Sequence, residues 1–442
     1  MTGPKAISAS ELPSLGRLID GVFGTTERSM FEMFPTLFRR DNWENLLIFA
    51  DGHEVVAHVG MLYRWACIQG ITLKVALIGA VATHPEYRGR GLASKLFSLA
   101  QDMARADGAD LMLISGARGL YTRAGAAIVG RLHELITGER VTSTCEVSIR
   151  PFAPFDLHEC KAAYAAKAAH FVRPLDDWEA FFASRCCMCR DTEPFIVQHG
   201  APEASDEALP VPDELTDIID VPTANMLRAA PVALEDDVPV FAVEDSATQH
   251  ELEQTLATTV RVTEKPSSVI DATLRKHFFL GDFAGYFVAF RESKPCRIRL
   301  VEYAGDMRAL PSAIPLILDA MDATEARVAL DSEDEALRWG HLLRARRELV
   351  PSTGTLLLLE PVALFDKLGP YFESRVGQLT AQALFLREDG GRYVLEAGRE
   401  RLELENRAAL ARLIFGAPGE SLQFPWVALF PLPALWYGLN YI

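Results

Sequence analysis

Residues 75–81 are almost wholly apolar, the pattern of a strand covered on both faces. After a polar turn, Leu92, Leu96, Leu99 or Ala100, and Met103 recur at helical spacing. Gly108 supplies a C-terminal stop, and residues 110–115 read as the next strand. Upstream, residues 43–50 and 55–63 predict a hairpin around Asp51-Gly52. Gly79, inside the apolar run, predicts a bulge or a ligand lying against the backbone. These segments make a first α/β unit that ends near Thr142. A second opens at residues 146–151 and carries helical patterns over 156–169 and 175–185. Paired strands over 285–290 and 297–303 and a helix over 310–321 follow, repeating the strand, strand, helix order of the first unit. From Ser352, strand-like segments at 355–359, 383–386, 392–396 and 402–405 precede a helix over 407–415. The chain closes on an apolar, Pro-rich tail ending Trp436-Tyr437-Gly438-Leu439-Asn440-Tyr441-Ile442. Chain ends fray unless tied down, so this tail either completes a small core or is drawn into a site.

The turn between the apolar strand and the helix carries the sharpest chemistry. Arg88-Gly89-Arg90-Gly91-Leu92-Ala93, with Ser94, sets positive charge and glycine-flanked backbone N–H groups at a helix start. Orphan donors and the positive end of the helix dipole bind a pyrophosphate without a metal, and glycine lets the backbone come close to it. No Lys-Ser or Lys-Thr follows the glycines, so this is not a Walker A loop, and the third glycine of the dinucleotide fingerprint is missing.

Composition changes the picture in only a few places. The net charge of −16 looks like a hint of a cationic partner. Residues 202–254, however, hold fourteen Asp/Glu against Arg228 alone and carry −13 of it, leaving the rest near balance. With six prolines, that stretch reads as an acidic insertion or surface segment. No basic stripe suggests nucleic acid, and no apolar run is long enough to span a membrane. The first residues lack a signal-peptide pattern, so a cytoplasmic location is expected. Cys186-Cys187-x-Cys189 lacks the second pair a zinc site wants, so no metal is expected and the thiols read as reduced residues on a helix.

Arg88-Gly89-Arg90-Gly91-Leu92-Ala93 in this strand–loop–helix setting resembles the Arg/Gln-x-x-Gly-x-Gly/Ala motif of the GNAT (Gcn5-related) N-acetyltransferases. The resemblance implies acetyl-CoA as co-substrate, its pyrophosphate on residues 88–94 and its pantetheine arm along Val81-Ala82-Thr83. It also implies that Tyr121, in Leu120-Tyr121-Thr122-Arg123-Ala124-Gly125, sits beside the CoA sulfur as general acid. The order of units resembles the "enhanced intracellular survival" branch, with Arg173-Pro174 followed by Trp178 in its second domain. The fold implied is α+β: a catalytic GNAT domain over 1–145, a degenerate GNAT-like domain over 146–351, and a sterol-carrier-like domain over 352–442. Residues 78–83 hold no carboxylate or histidine to serve as base. The branch uses the terminal α-carboxylate instead, here that of Ile442, and an apolar tail would supply the desolvation that makes such a group basic. The branch also implies a homo-oligomer, dimer or hexamer, and an amine acceptor: a small polyamine- or aminoglycoside-like molecule or a lysine side chain. Ala124, Ala126 and Ala80 stand where aromatics are common, so acceptor preference is expected to differ. A non-catalytic acyl-CoA sensor or lipid-binding protein is the competing class, and a long-chain acyltransferase a more distant one.

Overall fold

The computed structural model describes the chain except residues 25–26, 139–144, 201–281, 294–295, 418–425, 434 and 436–437. The acidic stretch at 202–254 and the Trp436-Tyr437 pair therefore lie outside the described residues. The chain forms two compact units. The larger takes in Met1–Cys145, Ile149–Val197 and Ala284–Ile442; the smaller takes in Glu146–Ser148 and Gln198–Phe283. Within the smaller unit, the His199 N–H donates to the Asp282 carbonyl at 2.8 Å and the Gly200 N–H to that of Glu146 at 2.9 Å.

In chain order the strands are β1 (Thr2–Ala6), β2 (Leu46–Asp51), β3 (Glu54–Ile68), β4 (Ile71–Thr83), β5 (Leu111–Ile114), β6 (Leu132–Thr137), β7 (Val147–Pro151), β8 (Ala169–Val172) and β9 (Cys186–Cys187). They continue as β10 (Arg190–His199), β11 (Phe283–Arg291), β12 (Arg297–Gly305), β13 (Glu325–Leu330), β14 (Arg346–Val350), β15 (Thr355–Leu358), β16 (Leu384–Asp389), β17 (Arg392–Ala397) and β18 (Glu400–Leu404). A first sheet runs β1-β2-β3-β4-β5-β15, with β8 paired to β3; a second runs β14-β6-β13-β12-β11-β10-β7, with β9 on β10. β16 to β18 form a three-stranded meander, followed by the Arg407–Phe415 helix. The fold is a mixed α+β one.

β4 reads as continuously apolar because both faces of its sheet are covered. Ala76 and Ile78 pack with Leu92, Leu96 and Phe97 of the Leu92–Ala106 helix. Val75 and Leu77 join Leu15, Leu18 and Ile19 of the Leu12–Phe23 helix in the other core. The sheets do not divide at the expected boundaries of 145 and 351. β6 leaves the first unit to pair antiparallel with β13 and β14. β15, expected in the third unit, pairs antiparallel with β5, Thr355 opposite Ile114 and Leu358 opposite Leu111. Two further expectations give way to pairing. The helix expected over 156–169 is Leu157–Ala165, because β8 is taken up alongside residues 65–68 of β3. Cys186 and Cys187 lie in a short strand opposite Asp191 and Arg190, not on a helix, which ends at Ser184.

Candidate active site

The site begins where two parallel strands part. β4 and β5 pair from Val75 with Leu111 to Ile78 with Ile114. There β5 ends, and the Ser115 N–H and hydroxyl both donate to the Ile78 carbonyl, at 3.0 and 3.2 Å. β4 runs on through residues 79–83, paired on its other side to β3 alone. Its open edge presents backbone donors and acceptors to an extended ligand. The register with β3 slips from His58–Ala82 to Gly60–Gly79, so Ala80 and Val81 together oppose Val59. Ala80 takes φ +51°, the left-handed region that alanine rarely enters. This is the bulge expected from Gly79, displaced by one residue, and it re-aims the open edge.

Beyond Thr83 lies one turn of 3-10 helix, Pro85–Tyr87, and then the glycine turn. Gly89 and Gly91 adopt φ +77° and +73°. A Cβ at either would meet nothing within 4 Å, so backbone conformation and not crowding asks for glycine there. Gly91 caps the Leu92–Ala106 helix with no side-chain acceptor. Leu92 is buried and anchors the helix, Ala93 is half-buried, and Arg88, Gly89, Arg90, Gly91 and Ser94 are exposed. The Arg88 Nε donates to the Thr83 carbonyl at 3.3 Å. Arg90 donates to the Glu86 carbonyl at 3.0 Å and covers the Tyr87 ring at 4.6 Å. Val81 and Thr83 are half-buried and Ala82 is buried.

At the other end of the open edge, Ile442 lies against Gly79, where β4 and β5 separate, and the Tyr121 ring lies against Gly116, just past the end of β5. Tyr121, in the Gly119–Arg123 helix, is buried and meets Phe97 edge-on at 5.2 Å. Burial pushes its phenol above the ordinary tyrosine value, Arg118 draws it back, and Tyr441 pushes it up again. The Ile442 main-chain carbonyl lies directly over Gly79: a Cβ there would collide with its carbon and oxygen and stand 2.9 Å from Ile442 Cγ1. The Tyr441 hydroxyl donates to the Ser115 carbonyl at 3.1 Å, on the β5 side of the split. Tyr441 and Ile442 thus touch both lips of the cleft.

Other polar groups here were not marked by the sequence. His58 is fully buried; its Nδ1 bonds the Leu47 carbonyl at 3.1 Å, and its Nε2 has no partner. Burial pushes the imidazole down to about 4. Behind the tail sits a buried Arg173–Glu302 ion pair. A lone histidine in an apolar strand was the available signal for the first; Glu302 gave none. Burial raises the thiols of Cys186 and Cys187, and the Cys187 Sγ lies 3.1 Å from the Gly438 carbonyl. Among the described residues no group of three or more His, Cys, Asp or Glu could hold a metal, and no helix is long and apolar enough to cross a membrane.

No curated protein matches the chain. Residues 4–129 match the family described as acetyltransferase (GNAT) domain. Among solved structures, Eis1 from Mycobacterium abscessus has a TM-score of 0.53 at 12% identity, with 98% of this chain and 97% of that one covered. A GCN5-related N-acetyltransferase from Anabaena variabilis has a TM-score of 0.53 at 11% identity, covering 93% and 89%. A probable N-acyltransferase from Enterococcus faecalis has 0.50 at 12% identity, covering 82% and 74%. At such identities the likeness is one of fold. The chain therefore carries a GNAT acetyltransferase domain in its first third, which makes it an acyltransferase.

Proposed function

We propose that the protein transfers acetyl from acetyl-CoA to a primary amine by direct attack, with Tyr121 as general acid and the α-carboxylate of Ile442 as general base. The observation that carries this reading is the packing of Ile442 onto Gly79 at the point where β4 and β5 part. The open edge of residues 79–83 and the start of the Leu92–Ala106 helix, where Gly91 leaves the first N–H groups without a side-chain acceptor, fit an acyl-CoA. From Gly79 to Thr83 the strand advances about 13 Å. A pyrophosphate held at Arg88, Gly89, Arg90, Gly91, Leu92, Ala93 and Ser94 thus reaches the split only through an extended arm, bonded by Val81, Ala82 and Thr83.

In the reaction, the Ile442 carboxylate accepts a proton from the amine as its nitrogen attacks the thioester carbonyl. The carbon–sulfur bond breaks, and the departing thiolate takes the Tyr121 hydroxyl proton, leaving amide and free CoA thiol. A phenol held protonated by burial suits that task. The acceptor belongs to small polyamine- or aminoglycoside-like amines or to lysine side chains. The same reading takes the second sheet as a degenerate GNAT-like domain and β16–β18 with its helix as a sterol-carrier-like one. It also includes a cytoplasmic homo-oligomer, dimer or hexamer.

A thiol-release screen over amines, run beside calorimetry with acetyl-CoA, tests the activity. Turnover with at least one primary amine is expected; tight binding without release across a broad panel would point to the acyl-CoA sensor instead. Appending a short C-terminal extension to Ile442 should abolish turnover while acetyl-CoA still binds.

A further inference from the structure

We propose that the buried Arg173–Glu302 pair positions the C-terminal tail and so fixes where the Ile442 carboxylate sits; this rests on the catalytic reading of that carboxylate. Arg173 grips Glu302 with two bonds of 2.8 and 2.6 Å, and the side chains are 0% and 3% exposed. The rest of the pair's hydrogen-bonding capacity goes largely to the tail. Arg173 Nε donates to the Asn440 side-chain oxygen at 2.6 Å, and the Leu439 N–H donates to Glu302 Oε2 at 2.9 Å. Gly438 lies so close over the Glu302 carboxylate that a Cβ there would collide with it. Tyr286 donates to Glu302 Oε1 at 2.8 Å. The guanidinium is walled by the rings of Tyr164 and Trp178 at 4.0 and 4.6 Å.

Three consecutive residues, 438 to 440, are thus fixed just short of the carboxylate. A fully buried ion pair gains little net stability, because desolvation offsets most of its attraction; its best-attested use is to set register. The planar guanidinium fork suits that use. The frame it refers to is short. Arg173 follows β8, β8 pairs with β3, and β3 pairs with β4, which carries Gly79. The tail is therefore measured off the same strands that it enters.

The test uses full-length Glu302→Gln and Asn440→Ala, with deletion of Ile442 as reference. Asn440→Ala leaves the ion pair in place and keeps the test decisive where Glu302→Gln fails to fold. Both are expected to lower kcat about tenfold or more, leave KM for acetyl-CoA unchanged, and add nothing in combination with the deletion. Carboxypeptidase should release Ile442 and Tyr441 faster from both variants than from the parent. Full kcat in the folded variants, or losses that multiply with the deletion, would overturn the positioning role. Should the deletion itself leave kcat intact, the base assignment falls; unchanged carboxypeptidase protection in Asn440→Ala then overturns the clamp separately.

Discussion

Replacing Gly79 with alanine adds a single carbon at the point where Ile442 rests on β4. The glycine's φ lies outside the left-handed region, so alanine itself is unstrained there. The new Cβ would overlap the Ile442 carbonyl group and stand 2.9 Å from its Cγ1. Ordinary carbon contacts begin near 3.5 Å, and the carbonyl atoms overlap the new Cβ more deeply than Cγ1 does, so the last residue must retreat by about 1 Å or more. Displacing a reacting group by about 1 Å costs on the order of 10²-fold in rate. That is about 2.7 kcal/mol on the barrier. Overpacking of the fold should cost a further ~1–3 kcal/mol, measurable as a lower Tm. The assay is thiol release at saturating acetyl-CoA, with KM for acetyl-CoA read alongside. The expected result is a fall in kcat of about that size with KM little changed, because Val81, Ala82 and Thr83, which bond the pantetheine arm in this reading, are not altered. A folded Gly79→Ala enzyme with the parent kcat would refute the reasoning, since the carbonyl group it displaces would then have no part in the chemistry.

Tyr121→Phe should lower kcat by about 10²-fold or more while calorimetric binding of acetyl-CoA is retained. In the parent, the raised phenol keeps kcat from falling on its account until past about pH 10, and an earlier fall that disappears in Tyr121→Phe would contradict this. Gly91→Ala forces a Cβ into a left-handed residue, at a cost of about 1–2 kcal/mol locally. It should raise KM for acetyl-CoA several-fold with kcat preserved; an unaltered KM would argue against phosphate docking at the turn. For His58, the folded value of about 4 lies below the unfolded one, so the unfolded chain binds the proton first as pH falls. The stability this group contributes is complete above about pH 6.5 and lost down to about pH 4, a difference of roughly 3 kcal/mol. Denaturant midpoints at pH 7.5 and 5 should diverge less in His58→Leu than in the parent, and equal divergence would place the acid sensitivity elsewhere.

The parts of this site that were legible in the sequence are those set by neighbouring residues. The glycine turn, the Asp51-Gly52 hairpin and the Arg407–Phe415 helix each follow from a dozen or so positions, and each lies where the pattern puts it. Gly79 announced a bulge, though the extra residues, Ala80 and Val81, sit just after it. What could not be read was choice of partner. β15 has the same apolar look as a strand of any sheet, and nothing local says that it pairs with β5 more than two hundred residues earlier. Arg173 and Glu302 stand 129 residues apart and make sense only as a pair. The short β8 consumed the end of an expected helix for the same reason: tertiary pairing overrode a helical pattern that was adequate by itself.

The exchange of β6 for β15 bears on how the protein comes to be made. During synthesis β5 emerges with its outer edge bare, and the next strand in the chain, β6, departs for the other sheet. The strand that covers that edge is not translated until residue 358. At roughly 5–20 residues per second the nascent transferase domain waits some ten seconds or more with an apolar edge, Leu111–Ile114, open to wrong partners. A fragment ending near residue 145 keeps that edge bare permanently, and so its aggregation on its own would be a matter of topology and not of poor sequence.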